Sequence, residues 1–144
     1  MVTDNKKEWA KLVAKLRRMD NKQAEVGIQG GNYPKTGESV AQVAAKNEFG
    51  SGIIPERSFM RSTFDEKENK WTRQFASLVF TNVQRPLNKV GKSAEKDIVD
   101  KIYNGQFVPN APFTIKMKGF NKPLIHTERM VHSVKSVVRK KGDK

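Results

Sequence analysis

Two long stretches of helical periodicity, divided by a break, constrain this chain more than any other feature. Phe64, Trp71, Phe75, Leu78 and Val79 fall on one stripe, with Glu68 near it, and Leu87, Val90, Ala94, Ile98 and Ile102 form a second. Asn82 to Arg85 interrupts the pattern, and Pro86 suits the first position of a new helix. Thr63 and Glu66 have capping-box spacing, which predicts the start of the first helix there. Asn104-Gly105 closes the second.

Shorter elements flank this pair. Trp9, Leu12, Val13, Leu16 and Met19 predict a helix over about Lys6–Met19, with Asp4 or Asn5 as its cap and Asp20-Asn21-Lys22 as its stop. Gln23–Gln29 alternates, with Ala24, Val26 and Ile28 on one side, as a half-buried strand does. Gly30–Gly37 is a loop. Ser39 caps a short helix from Val40 to about Asn47, with Val40, Val43 and Ala44 inward and Gly50 as terminator. Four breakers (Pro109, Pro112, Gly119, Pro123) predict irregular chain over Phe107–Pro123. Thr127 is placed to cap a helical turn through Met130 and Val131. Ser133–Arg139 reads as a final strand with Val134 and Val138 on one side, and Lys140–Lys144 as a loose basic tail. The expected fold is α+β: a small, mostly antiparallel sheet packed with several amphipathic helices, in one domain spanning residues 1–144.

Composition narrows the function. The chain holds 36% apolar and 30% charged residues, which suits a folded domain with a solvated surface rather than a disordered one. It has no cysteine, so disulfides, thiolate chemistry and cysteine zinc sites are excluded. No apolar run approaches the roughly 20 residues of a membrane helix, so no membrane partner is expected. Met1–Lys7 leads into an amphipathic segment rather than an apolar signal core, which predicts a chain that is not exported by that route.

Catalysis finds little support. His126 and His132 stand six apart, off a shared helix face, with no HExxH pattern. No GxSxG elbow surrounds a serine. Gly27-Ile28-Gln29-Gly30-Gly31 lacks the spacings of a phosphate loop and reads as a turn. Asp65, Glu66 and Glu68 are explained by a helix dipole rather than a metal. No catalytic residue, metal or cofactor is expected, and the chain is not read as an enzyme.

The net charge is +13 and the pI about 10.1. Such an imbalance favours a polyanionic neighbour, whether nucleic acid, anionic lipid or an acidic protein surface; solubility alone is the other explanation. Between Asn110 and Lys144 stand nine Lys and Arg residues against only Glu128 and Asp143. Phe113 and Phe120 are interleaved with the lysines. Phosphate contact with base stacking gives this pattern, and so does a solvated tail with core phenylalanines. Lys116, Lys118, Lys122, Arg139, Lys140 and Lys141 are the candidates for contact with DNA or an acidic partner, without sequence readout.

Two separated segments carry a resemblance. The first is Val26-Gly27-Ile28, then Tyr33-Pro34-Lys35-Thr36-Gly37-Glu38-Ser39-Val40-Ala41-Gln42-Val43-Ala44-Ala45-Lys46-Asn47-Glu48-Phe49-Gly50, then Ile54-Pro55-Glu56-Arg57-Ser58-Phe59-Met60-Arg61. The second is Ala111-Pro112-Phe113-Thr114-Ile115 with Lys118-Gly119-Phe120-Asn121-Lys122-Pro123-Leu124-Ile125-His126-Thr127. Together they resemble tailed-bacteriophage neck, tail-completion and virion-morphogenesis proteins. Three positions depart from that pattern: Ser58 replaces a proline, His126 an aspartate and Glu128 a glycine.

The resemblance implies a structural virion protein at the head–tail junction, made and assembled in the host cytoplasm. It implies a homo-oligomeric ring around the DNA channel, six-fold in the simplest form, with other neck, connector and tail proteins as partners. A tail terminator ring capping the tail tube is the alternative within that class. A non-specific nucleic-acid-binding protein using the basic C-terminal region is the alternative outside it. The residues expected to form the core or interface motif are Glu48, Phe49, Gly50, Pro55, Arg57, Phe59 and Arg61. Phe49 is expected as a core anchor and Gly50 as a left-handed cap. Pro55 forces an extended path on Ile54. Glu48, Arg57 and Arg61 are candidates for ion pairs.

Overall fold

In the computed structural model, which describes residues 5–81 and 85–143, the chain's two strands lie far apart in sequence. Strand β1 (Lys22–Ile28) pairs antiparallel with β2 (Val134–Lys140), matching Ala24 with Val138, Val26 with Ser136 and Ile28 with Val134. Between them run five helices: α2 (Val40–Phe49), α3 (Met60–Phe80), α4 (Pro86–Asn104), α5 (Pro112–Lys118) and α6 (Arg129–Ser133). Helix α1 (Asn5–Met19) precedes β1. The described residues form one compact α+β domain.

Helix α4 lies against both strands, and α3 packs on α4. Gly91 permits the close approach of α4 to the sheet: a Cβ there would stand 3.2 Å from Ser136 Cβ and 3.6 Å from Ala24 Cβ. Glu95, one helical turn on, accepts from the Ser136 amide at 2.7 Å and its hydroxyl at 3.0 Å. Trp71 of α3 donates its indole N–H to Asp97 of α4 at 2.7 Å. The core gathers Val40 and Ala44 of α2, Phe59, Ile98 and Ile102 of α4, Ile125, Met130 and Val131 of α6, and Val134 of β2. Full burial of each large side chain contributes about 1.5–3 kcal/mol.

Several expectations are corrected. Helix α3 begins at Met60, a turn before the predicted start. Thr63 therefore lies inside the helix, 1% exposed, and its hydroxyl donates to the Phe59 carbonyl at 2.6 Å rather than capping anything. Glu66 pairs with Lys101 instead. The first turn of α3 holds no acid, so the dipole does not account for Asp65, Glu66 and Glu68.

The Phe107–Pro123 segment contains α5. Its breakers are the helix's own boundaries: Pro112 sits in the first turn, and Gly119 ends it in the left-handed conformation (φ 82°, ψ 0°). Thr127 does not cap α6. That position belongs to Glu128, whose φ of 56° and ψ of 4° are left-handed. Glu128 is where the resembled pattern has glycine, so the departure leaves a strained backbone. Lys140 is not part of a loose tail: it closes β2 opposite Lys22, and the Lys141 amide bonds the Asn21 carbonyl at 2.7 Å. Lys144 lies outside the described residues, as do the Asp4 cap and the Asn82–Gln84 part of the predicted break.

The stripe on α1 covers little. Trp9 remains 65% exposed and α1 has no buried residue. Lys15 ties this helix to the end of α3 by donating to the Val79 carbonyl at 3.0 Å. Phe64 is also exposed, edge-on to Trp71.

Candidate docking cleft

The turn that joins α2 to α3 is organised around one carboxylate. Glu48 is 4% exposed at the end of α2. It accepts the backbone amides of Met60 and Arg61, each at 2.9 Å, the Ser58 hydroxyl at 2.9 Å and the Arg61 Nε at 3.0 Å. Helix α3 opens on Phe59 and Met60, neither of which can cap it. Glu48 supplies the cap from another helix, where negative charge meets the exposed amides and the positive end of the dipole. Burial is the largest single influence on this carboxyl and pushes its pKa up. The four hydrogen bonds together outweigh it and leave the pKa below the ordinary carboxylate value.

Arg61 extends the lattice, donating to the Glu48 carbonyl at 3.0 Å and to Glu56 at 2.6 Å. The expected Glu48–Arg61 ion pair therefore forms within the chain. Arg57 takes a different part. It is 6% exposed and donates to the Val108 carbonyl at 2.8 Å, the Pro109 carbonyl at 3.0 Å and Asn47 Oδ1 at 3.0 Å. Burial lowers its pKa from the usual guanidinium value. All three acceptors are neutral, so Arg57 is a staple rather than half of an ion pair. It holds the arm leading into α5 against the end of α2.

Phe59 fulfils its expected role, fully buried in the core. Phe49 does not. It is 63% exposed, and the Arg61 guanidinium lies 4.5 Å from its ring centroid. Its helix turn gives the inward position to Glu48, which leaves the neighbouring Phe49 outside. Gly50 has the expected positive φ of 75°, but its ψ of 157° is extended, so it is not a left-handed helical cap. It turns the chain into a tight reversal in which Ser51 and Ile54 exchange backbone hydrogen bonds at 3.0 and 2.8 Å. A side chain at Gly50 would press within 3.1 Å of the Glu56 amide.

This construction walls an open cleft of about 650 Å³. Tyr33, Pro34 and the Ile53–Pro55 reversal form one part of the wall, and Ala111, Thr114 and Lys118 another. Leu124–Thr127 and Met130 complete it, with Arg57 reaching into it. The two motif segments, separated in sequence, thus converge on one surface. Ile53 stands at its edge fully exposed. Among the described residues no group of three or more His, Asp or Glu side chains is placed to hold a metal.

The six basic candidates separate into two groups. Lys118 donates to the Lys122 carbonyl at 2.9 Å and lies 5.2 Å from the Phe120 ring centroid. Burial, then the charge of Arg57, lowers the Lys118 pKa. Lys122 lies over Tyr103, whose hydroxyl donates to Glu128 at the start of α6. Lys116 is exposed on α5. Arg139, Lys140 and Lys141 lie at the far end of β2, some 20 Å along the strand from the α6 end at about 3.4 Å per residue. Arg139 faces Glu25 at 3.4 Å.

Comparison with family models, with curated proteins and with solved structures gives no match. Asn47, Ser58 and the acceptor carbonyls of Val108 and Pro109 were not foreseen in this site. The sequence offered this helix a cap at Thr63, so the uncapped Phe-Met start gave no signal of the lattice. Nothing local names Glu48 as the residue that provides the cap.

Proposed function

We propose that this protein is a structural subunit of a tailed-bacteriophage neck, assembling as a ring that completes the tail and joins it to the head connector. The observation that supports this most is the convergence of both resembling segments on the cleft. Glu48 and Arg57 pre-organise it, and rigid walls lower the ordering cost of docking a neighbour. A head-to-tail contact repeated around an axis closes into a ring. Tail terminator is the alternative place for the same ring; finding the protein on tails made without heads favours it.

Sedimentation of purified protein, alone and with connector and tail proteins, tests the proposal together with cryo-electron microscopy of virions. The expected result is a symmetric ring at the head–tail junction, and loss of association in Ile53→Asp with unchanged thermal stability. An Ile53→Asp variant that assembles like the parent removes the cleft from the contact. A protein that associates with none of these partners and is absent from virions removes the proposal itself.

A further inference from the structure

A second concavity lies away from the cleft. Helix α1, the Lys22 end of the sheet and the start of α4 enclose a groove of about 800 Å³. Lys11, Lys15, Arg18, Lys22 and Arg85 line it, and among the described residues no carboxylate does. Two of these cations are engaged: Lys11 pairs with Glu8 at 3.0 Å, and Lys15 holds the α3 carbonyls. Arg18, Lys22 and Arg85 form no ion pair among the described residues.

The sheet adds to the charge. Its register sets Lys140 directly opposite Lys22, and like charges facing across strands destabilise a sheet. The backbone bond from Lys141 to Asn21 fixes a further lysine at the same end. Folding thus gathers cations where their repulsion opposes it, and a bound polyanion relieves that repulsion.

We propose that this groove binds the phosphate backbone of nucleic acid, without regard to base sequence. The lining decides between polyanions. Among the described residues it holds no aromatic side chain, so it offers neither a base-stacking platform nor the aromatic anchor on which protein contacts depend. It offers several cations over small and aliphatic residues such as Ala14, Leu87 and Val138, which suits a regular row of phosphates. The site differs from the Lys116, Lys118 and Lys122 group singled out by sequence, and it adjoins Lys140 and Lys141, which sequence also named. It also stands apart from the docking cleft, so it holds whether or not the ring forms.

The test is fluorescence anisotropy with a short mixed-sequence DNA duplex, titrated between about 50 and 200 mM salt, where backbone contacts give a steep dependence. Three full-length proteins are compared: the parent, Arg18→Gln/Lys22→Gln/Arg85→Gln, and Lys116→Gln/Lys118→Gln/Lys122→Gln. Each lost phosphate contact reduces the slope of log K against log salt by roughly 0.9, so the groove variant is expected to lose about 2–3 units of slope and at least about tenfold in affinity. The α5 variant is expected to keep the parent slope. Circular dichroism confirms that all three fold. The proposal is overturned if the parent does not bind the duplex, if the groove variant binds like the parent, or if the α5 variant loses the slope instead. It is also overturned if polyglutamate of equal charge displaces the duplex as well as competitor DNA does. Sedimentation of the same samples reports assembly separately, so failure of DNA binding and failure of the ring are read independently.

Discussion

At the α2–α3 junction, a 4%-exposed carboxylate collects four donors and the adjacent Arg57 is matched to three acceptors. At the α1–α4 groove, five cations share a surface that no carboxylate lines among the described residues. The junction's polar groups are buried and answered within the chain, as stability requires. The groove's charges remain in contact with water and are answered only weakly. Charge at the first region shapes the fold, and charge at the second is available to something outside it. Substitutions should therefore separate the regions: large stability effects at the junction, small ones at the groove.

The largest effect is expected at Glu48. Glu48→Ala leaves two helix-start amides, a hydroxyl and a guanidinium without their shared acceptor; Arg61 is half-exposed, so the cost comes mainly from the stranded buried donors, about 1–3 kcal/mol each. Urea unfolding measures it, and a loss below about 1 kcal/mol, the level typical of exposed pairs, would show that water caps α3 as well as Glu48 does.

Acid should act through the same residue. The folded-state pKa of Glu48 lies below its ordinary 4.5, so its contribution is complete above about pH 4.5 and is lost as pH falls through the lower folded value. Asp97 and Glu95 work in the same direction. Burial raises each, but the bonds from Lys70 and Trp71, and from Lys92 and Ser136, lower them further. Stability should therefore decline below about pH 4.5, and Glu48→Gln should flatten that decline. An equally steep acid limb in Glu48→Gln would assign the loss to the other lowered carboxyls: Asp97, Glu95 and the Lys101-paired Glu66.

Arg57→Met comes next, with a loss of about 2 kcal/mol expected from the broken charge-assisted bonds, partly offset by retained packing. Hydrogen exchange adds a signature: the amides of Ile115 and Gly119 in α5 should exchange faster, because Arg57 holds the arm that leads into that helix. Unchanged exchange there would mean that α5 is held by its own contacts and that the cleft wall does not depend on the staple.

A smaller, opposite effect is expected at the N-cap of α6. Glu128→Gly relieves a left-handed residue, a gain of about 1 kcal/mol, and gives up the hydrogen bond from Tyr103. A net stabilisation in thermal unfolding supports the strain. A net loss would show that the Tyr103 contact matters more than the backbone.

Much of this architecture was legible because it obeys local rules. The Ser39 cap, Pro86 at a helix start and the Asn104-Gly105 stop act over a few residues, and each lies where sequence places it. The junction was not legible in the same way. Glu48 caps a helix that begins twelve residues later, and only the tertiary turn brings it there. The apparent capping box at Thr63 and Glu66 competed with that cap and lost. Burial of Phe59 and the fourfold-bonded carboxylate fix the start of α3 earlier than Thr63 allows. The breakers around α5 misled for a related reason: Pro112 and Gly119 stand close enough to read as irregular chain, yet they bound a short helix that Arg57 holds from outside. The groove was legible only in Lys140 and Lys141 at its sheet end; its other cations come from α1, β1 and α4, and no run in the sequence unites them.

That dispersal makes the groove the sharpest test of the comparison. Arg18→Gln/Lys22→Gln/Arg85→Gln removes three charges that form no ion pair among the described residues. Arg85 is the N-cap of α4 but its side chain makes no capping hydrogen bond, and exposed substitutions of this kind usually stay within about 0.5 kcal/mol. Replacing Lys22 also relieves its repulsion with Lys140, so the sign should be neutral to slightly favourable. Thermal unfolding at low and high salt measures both parts: the parent should gain stability with salt as the repulsion is screened, and the variant should gain less. A loss comparable to that of Arg57→Met would mean that the groove's charges, like those of the junction, are answered inside the fold. The two regions would then differ in exposure alone, and no external polyanion would be needed to explain why the cations are there.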